Sequence, residues 1–282
     1  MANHIKITVL PGTGAEITGI DLRDLAAGEF EQIKQAFSDH GVVFFRDQQL
    51  TETDHIVLAE RFGKINVNRF FKSHADFPQI ALVGKEPDQL TNIGGGWHTD
   101  HTYDFEPALG SILVARQLPA TGGGTWFTNM YKAYEGLSDG LKEALSGLNA
   151  VHSARHVFGS AGDYKNSADT NQRIINSTAA DELGDPIHPV VITHPLSGRK
   201  ALYVNAAFTL RFEGWTVEES QPLLDYLYQA AINESYITRF EWRPGSVAFW
   251  DNRASWHNAQ NDYQGQARMM HRITIEGCAL TA

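Results

Sequence analysis

A histidine and an aspartate two residues apart are a candidate pair of metal ligands in this sequence, and the spacing gains weight only with a third ligand. They lie in the segment Trp97-His98-Thr99-Asp100, and on an extended strand such residues project from the same face. An imidazole and a carboxylate placed in this way can bind one metal ion. His101 stands at odd spacing from His98, so its side chain is predicted to point the other way and is not counted as a ligand.

A third ligand has to come from a distant part of the chain. The best candidate segment, residues 247–257, ends in His257. Two histidines and one carboxylate can form the facial triad that holds non-haem Fe(II) and leaves coordination positions open for oxygen chemistry. Structural zinc sites have four ligands and are rich in cysteine, whereas this chain has a single cysteine, Cys278. The residue types therefore favour an Fe(II) site over structural zinc.

The elements that must position these residues are predicted to be mostly β-strands with helical cover. Strand-like runs occupy residues 5–10, 41–45, 110–116, 187–194, 201–205, 236–242, 247–250 and 269–275. Helices are predicted at 30–40, from the capping box of Thr51 and Asp54 to Gly63, around Leu141, Leu145 and Leu148, and behind a second box, Thr216 with Glu219. The polar stretch 160–185 lacks a periodic apolar face, which predicts a mobile insertion or lid.

Length and charge limit the class of protein. A chain of 282 residues can bury a large core, and β-rich folds of this size commonly form one domain, so a single domain over residues 1–282 is predicted. The net charge of -10 argues against a nucleic-acid-binding surface. No long apolar segment follows the N-terminus, which predicts no signal peptide, no membrane partner and a cytoplasmic location.

Several further motifs resemble those of one enzyme family. With the segment around His98, they resemble the taurine dioxygenase family of Fe(II)/2-oxoglutarate oxygenases, and the resemblance covers most of the chain. The motifs are Trp250-Asp251-Asn252-Arg253, His257-Asn258-Ala259 and Met270-His271-Arg272. The resemblance implies a double-stranded β-helix, or jelly roll, and a homo-oligomer. It also implies that 2-oxoglutarate is the co-substrate and that O2 is consumed.

The resemblance assigns roles to individual residues of this chain. His98, Asp100 and His257 would bind the iron, Thr125 and Arg268 the far carboxylate of 2-oxoglutarate, and Arg272 the anionic group of the substrate. Arg268 and Arg272 have even spacing, so on one strand they should face the same side. The alternative for Arg272 is a buried ion pair with a protein carboxylate. Aromatic pocket walls would come from Phe71, Tyr103, Phe158 and Phe208, each of which could instead be a core residue.

Two departures from the family pattern bear on the substrate. Asn68 stands where the taurine enzyme has a histidine that contacts the sulfonate, and Gly94 replaces an asparagine that contacts the amine. The resemblance therefore implies a bulkier and less polar acid than taurine.

The predicted activity is hydroxylation of a small anionic organic substrate, namely a sulfonate, an alkyl sulfate or an aryloxy or alkyl carboxylate. The hydroxylated product could then fragment. The alternative is a metal-binding β-barrel that acts as a sensor or binding module without turnover.

Overall fold

The described part of the protein, residues 5–166 and 177–282 of a computed structural model, contains sixteen β-strands and eight α-helices. The strands are β1 Lys6–Val9, β2 Ala15–Thr18, β3 Val42–Phe45, β4 Ile65–Asn66, β5 Ala81–Lys85, β6 Gly110–Gln117, β7 Thr125–Asn129, β8 Asn149–His152, β9 Ile187–Pro189, β10 Val191–Thr193, β11 Lys200–Leu202, β12 Thr209–Phe212, β13 Thr238–Phe240, β14 Val247–Asp251, β15 Ser255–Ala259 and β16 Arg268–Ile275. The helices are α1 Ala27–His40, α2 Glu52–Glu60, α3 Met130–Glu135, α4 Asp139–Leu145, α5 Arg155–Phe158, α6 Asp163–Asn166, α7 Ser177–Glu182 and α8 Val217–Ala231. Within these two ranges, every helix is too short or too polar to span a lipid bilayer.

Two opposed sheets form the centre of the fold. Over the described residues, the main sheet has eight strands in the order β1-β2-β3-β14-β6-β16-β4, and β5 pairs with β16. A smaller sheet, β13-β7-β15, faces it. Aromatic side chains fill the space between the two sheets: the ring of Phe44 stacks on that of Phe240 at 4.3 Å, and Phe127 lies edge-on to Phe44. This layer of rings fixes the distance between the sheets.

Helices α1 and α2 cover the outer face of the main sheet. Phe37 of α1 stacks on Phe249 of β14 with 4.0 Å between ring centroids. The alternation of side chains along β16 places Ile273 and Ile275 in this outer core. The same alternation turns Arg268 and Arg272 towards the space between the sheets, where they are buried.

Most predicted elements are present, with shifted ends and one division. The capping boxes at Thr51 and Thr216 begin α2 and α8 as expected. The predicted strand 187–194 is two strands, because β9 pairs with β8 while β10 pairs with β11. In the predicted lid, residues 160–185, the structure places α6 and α7, and residues 167–176 lie outside the described residues.

A buried ion pair holds the turn between β14 and β15. The carboxylate of Asp251 accepts hydrogen bonds from Arg253 Nε at 2.9 Å and Nη2 at 2.7 Å, and it lies 2.9 Å from His194 Nε2. Burial acts to raise the pKa of Asp251, but the charge of Arg253 and the contact with His194 hold it below its ordinary value. The turn that leads into His257 is therefore anchored by charge.

We expect Asp251→Asn to lower the free energy of unfolding by about 3–5 kcal/mol, because it leaves the buried Arg253 without its counter-charge. Since the pKa of Asp251 is lowered in the folded state, the stabilisation is present above about pH 4 and is lost as the pH falls. Urea unfolding at pH 7 measures the loss. Glu276→Gln, which removes the exposed pair with Lys64, should cost less than about 1 kcal/mol. Equal losses in the two variants would contradict the assignment.

Candidate active site

His98, Asp100 and His257 converge at the mouth of the space between the sheets. His98 and His257 form a single antiparallel bridge, in which each backbone N–H donates to the carbonyl of the other, at 3.1 and 2.8 Å. Each Nε2 lies 3.8 Å from an oxygen of Asp100, and one ligand atom from each residue lies within 4.8 Å of the others. His98 therefore lies in a one-residue bridge and Asp100 in the bend that follows it, whereas the spacing predicted a continuous extended strand for both.

The hydrogen bonds and charges around the cluster suit a divalent cation. His98 Nδ1 lies 3.0 Å from the carbonyl oxygen of Gly96, which can only accept, so Nδ1 donates this hydrogen bond while Nε2 faces Asp100. Burial, followed by the neighbouring His98, lowers the pKa of His257 well below its usual value. Burial acts to raise the pKa of Asp100, but Arg272 and then His257 hold it below its ordinary value. The cluster therefore offers two imidazoles and one carboxylate, and this donor set fits Fe(II).

The turn after Asp100 is fixed by hydrogen bonds. Thr99 Oγ1 donates to the carbonyl of Asn252 at 2.6 Å, and His188 Nε2 lies 3.0 Å from the carbonyl oxygens of Thr102 and Asp104. His101 has a left-handed φ of 64°, and its Nδ1 lies 2.8 Å from Asp104 Oδ2. The ring of His101 thus turns to a different carboxylate and is not part of the cluster. A left-handed histidine is strained backbone of the kind that occurs at functional sites.

Arg268 and Arg272 bring two buried cations to the same cavity. Arg272 Nη1 donates to Asp100 Oδ2 at 3.0 Å. Arg272 therefore forms the buried ion pair that was the alternative to substrate binding, and its partner in that pair is the candidate metal ligand Asp100. Nε and Nη2 of both arginines are buried without a hydrogen-bond partner among the described residues. Because unpaired buried donors are costly, these four atoms point to anionic ligands.

Thr125 lies on β7 beside Arg268 in the cavity wall. Its hydroxyl accepts a hydrogen bond from Trp242 Nε1 at 2.9 Å, and the Arg268 guanidinium lies 5.8 Å from the Trp242 ring. Burial lowers the pKa of Arg268, as expected for a guanidinium held away from water, although the group stays charged. A hydroxyl and a buried cation can together receive a carboxylate.

One cavity of about 550 Å³ joins these groups. It is lined by the triad, both arginines, Thr125 and three of the predicted aromatic residues, Phe71, Phe158 and Phe208. Tyr103 and Asn68 are not in the lining. Tyr103 packs behind the wall, 4.8 Å from the ring of Phe208, and Asn68 Oδ1 accepts from the backbone N–H groups of Phe70 and Phe71. The structure thus places both residues where they support the wall.

The lining also contains residues that sequence reasoning missed, among them His156, Asp163 and Tyr164 at the mouth. Tyr164 stacks on Phe158 at 5.5 Å. No sequence motif identifies these residues, because their position at the cavity depends on how the chain folds in a segment that has no periodic pattern.

A second cluster with metal-binding residue types lies on the outer side of β16. It consists of Glu52, His74 and His271. Arg116 Nε donates to His271 Nδ1 at 3.1 Å, and Glu52 lies 3.5 Å from the same nitrogen. The lone pair of that nitrogen is already used and a cation stands beside it, so we interpret this cluster as a polar network.

The chain is similar to one known protein family and to individual proteins of named activity. The model of the family described as taurine catabolism dioxygenase TauD, TfdA family matches residues 6–274. The chain is 34% identical to an alkylsulfatase of Acinetobacter baylyi over 270 residues, which cover 94% of this chain and 82% of that protein. It is 30% identical to the (S)-phenoxypropionate/alpha-ketoglutarate-dioxygenase of Sphingobium herbicidovorans over 281 residues, 98% of this chain and 96% of the relative.

A solved structure supports the same relationship. The crystal structure of AAD-2 in complex with Mn(II) and N-oxalylglycine superposes with a TM-score of 0.79 at 26% identity, covering 99% of this chain and all of that one. The mostly β fold with its two opposed sheets is therefore the jelly roll of its structural neighbours.

Proposed function

Because the chain belongs to the taurine catabolism dioxygenase TauD, TfdA family, we propose that His98, Asp100 and His257 hold Fe(II) in the cavity between the sheets. The protein is a 2-oxoglutarate-dependent dioxygenase that acts on a small anionic organic molecule. The observation that carries the residue assignment is the convergence, in one cavity, of a two-histidine, one-carboxylate cluster with two buried guanidinium groups, each of which has two nitrogens without a hydrogen-bond partner among the described residues.

Each end of 2-oxoglutarate has a suitable partner in this arrangement. Its keto acid end would occupy open positions of the metal, and its far carboxylate would meet Arg268 and Thr125. N-oxalylglycine, which AAD-2 binds together with Mn(II), differs from 2-oxoglutarate by an NH in place of one CH2. The similarity of this chain to AAD-2 supports the proposal that a metal ion and a keto acid bind together in its cavity.

The substrate would be held by Arg272 and the aromatic wall. Arg272 Nη1 stays on Asp100, which leaves Nε and Nη2 for the anionic group, and the guanidinium lies 4.7 Å from the Phe71 ring. The carbon next to the anion is thereby brought beside the metal ligands. Phe158 and Phe208 exclude water and contact the apolar part of the substrate.

When bound, Fe(II) supplies the coordination positions and electrons for the reduction of O2. The balanced reaction converts a substrate C–H, 2-oxoglutarate and O2 into a substrate C–OH, succinate and CO2. If the hydroxylated carbon carries an oxygen or sulfur substituent, the product can break down and release sulfite, sulfate or a phenol. The protein's own part is to position both anions and to keep the pKa values of Asp100 and His257 low.

Succinate formation tests the proposal. The protein is supplied with Fe(II), 2-oxoglutarate and O2, with and without each of a panel of sulfonates, alkyl sulfates, aryloxyalkanoates and other carboxylates. Stimulation by one class, with one succinate per hydroxylated product, supports the proposal and gives the substrate group. Bound iron without stimulated turnover across the panel would favour the sensor alternative.

Replacement of Arg272 is expected to affect the substrate more than the co-substrate. Arg272→Met removes the donors proposed for the anion, and hydrogen bonds to charged groups contribute about 1.5–3 kcal/mol, so KM for the substrate should rise by about 10- to 100-fold. KM for 2-oxoglutarate should change by less than about threefold. Steady-state kinetics with each reactant varied in turn measure both values. A larger change for 2-oxoglutarate would reverse the two assignments.

The choice of iron is tested by metal replacement. The protein stripped with a chelator and reloaded with Fe(II) or Zn(II) should form succinate with Fe(II) and not with Zn(II), because Zn(II) has no redox chemistry.

A single domain over residues 1–282, a homo-oligomeric assembly and a cytoplasmic location stay predictions from the sequence. Sedimentation measures the number of subunits.

A further inference from the structure

Lys85, at the end of β5, is a buried cation outside the cavity lining, and only 2% of its surface is exposed. Its Nζ donates to Gln264 Oε1 at 3.1 Å and lies 4.5 Å from the centre of the Tyr263 ring. An amide oxygen and a ring face are both neutral, and within residues 5–166 and 177–282 no carboxylate pairs with this ammonium group. Fully buried lysines are rare without an anionic partner, so packing alone does not account for a lysine at this position.

Lys85 stands directly opposite Arg268 in the main sheet. The two residues are antiparallel partners on β5 and β16, so their Cβ atoms lie about 4.5–5.5 Å apart on one face of the sheet. That face is the cavity side, because Val83, two residues before Lys85 on β5, lines the cavity together with Arg268. Like charges placed opposite each other are unfavourable. An anion bound at Arg268 would therefore supply a counter-charge for both cations.

The Tyr263 ring is a neighbour of both cations. A Cβ built at Gly123 would lie 3.2 Å from Cδ of Arg268 and 3.3 Å from Cδ1 of Tyr263, so both side chains pack against the same glycine. Tyr263 is itself buried. The charge of Lys85 thus acts on the region of Arg268 across a buried side chain and not through open water.

Resting on the proposed function, we propose that Lys85 is a positioning residue for the co-substrate: its charge, placed behind Arg268, strengthens binding of the far carboxylate of 2-oxoglutarate without touching it. In buried surroundings opposite charges attract each other over several ångströms much more strongly than in water. The sheet therefore presents two positive charges to one carboxylate. The keto acid end, which the metal would hold, lies farther from Lys85 and depends on it less.

Two keto acids that differ only at the far end separate this role from a structural one. 2-Oxopentanoate has a methyl group where 2-oxoglutarate has its far carboxylate. Calorimetry with the full chain loaded with Mn(II) measures the affinity for each. In Lys85→Met, 2-oxoglutarate should bind about 10-fold more weakly, because a nearby opposite charge is lost, and 2-oxopentanoate should change by less than about threefold.

Three further variants control for the fold and for charge in general. Lys85→Gln loses the charge but keeps a donor for Gln264, and it should show the same selective loss. Lys85→Arg keeps the charge and should recover most of the affinity for 2-oxoglutarate. Lys64→Met removes a lysine whose side chain is 78% exposed, and because solvent screens such charges it should leave both affinities within about twofold of the wild type.

The outcomes separate this inference from the proposed function. Equal loss for both keto acids, or unchanged 2-oxoglutarate affinity in both neutral variants, would overturn the role of Lys85. Either result together with lost 2-oxoglutarate binding in Arg268→Met would leave the co-substrate site intact. Selective loss in the neutral variants without succinate formation from any substrate would support Lys85 and overturn the dioxygenase activity. A wild type that binds no 2-oxoglutarate would overturn both.

Discussion

Asp100→Ala is expected to abolish iron binding and substrate-dependent succinate formation. Loss of a residue that merely supports a metal ligand typically costs 10- to 100-fold in affinity or activity, so loss of the ligand itself should cost more than about 100-fold in each. The remaining two imidazoles lie on one bridge and cannot complete the facial triad. Iron content per chain, measured after gel filtration, and the initial rate of succinate formation give the two values.

The same substitution has an effect on stability that has to be measured separately. Asp100 is the hydrogen-bond partner of Arg272, and removing it leaves a buried guanidinium without a counter-charge. We therefore expect a lower thermal midpoint as well, which circular dichroism would show. Asp100→Asn keeps the shape of the side chain and loses the charge, so the two variants together separate lost volume from lost ligation.

Glu52→Ala is the matched control for Asp100→Ala. It removes a carboxylate from the other cluster of two histidines and one acid, on the outer side of β16. Because that cluster is a polar network around Arg116, iron content and turnover should stay within about twofold of the wild type, the range of most surface substitutions. Normal iron content in Asp100→Ala, or loss of iron in Glu52→Ala, would contradict the assignment of the metal centre.

The candidate site was predictable from the sequence to the extent that it depends on short spacing and on motifs. The pair His98 and Asp100 was visible as two residues of a single segment, and the even spacing of Arg268 and Arg272 correctly placed both on the cavity side of one strand. The ion pair between Arg272 and Asp100 joins residues 172 positions apart. No periodicity encodes that contact, so the sequence left its two alternatives open.

The helices and strands were likewise predictable where they depend on local sequence patterns, and not where they depend on contacts between distant residues. Helices α2 and α8 were predicted because each begins with a capping box, which is a local hydrogen-bond pattern. Strands β5, β8 and β12 were missed, since each is four or five residues long and is defined by pairing with a distant strand. Their backbone hydrogen bonds depend on the assembled sheets, and short runs of apolar residues do not specify a partner.

Arg268→Met is expected to raise KM for 2-oxoglutarate by about 30- to 5,000-fold, with a much smaller change in KM for the organic substrate. Truncating one partner of a buried, hydrogen-bonded charge pair costs about 2–5 kcal/mol, which corresponds to that range. The effect should exceed that of Arg272→Met because Arg268 has no hydrogen bond to a protein carboxylate among the described residues, whereas Nη1 of Arg272 donates to Asp100. Initial rates with 2-oxoglutarate varied at saturating substrate measure it.

Arg268→Lys separates charge from geometry. A lysine keeps the positive charge but loses the planar pair of donors, so it should recover part of the affinity and leave KM for 2-oxoglutarate above the wild-type value. Methionine at this position also stabilises the apoprotein if the main cost of Arg268 is its burial, because it fills similar space without a charge. A higher thermal midpoint together with weaker 2-oxoglutarate binding would therefore identify Arg268 as a residue kept for the co-substrate and not for the fold. A lower midpoint with unchanged KM would assign it a structural role instead.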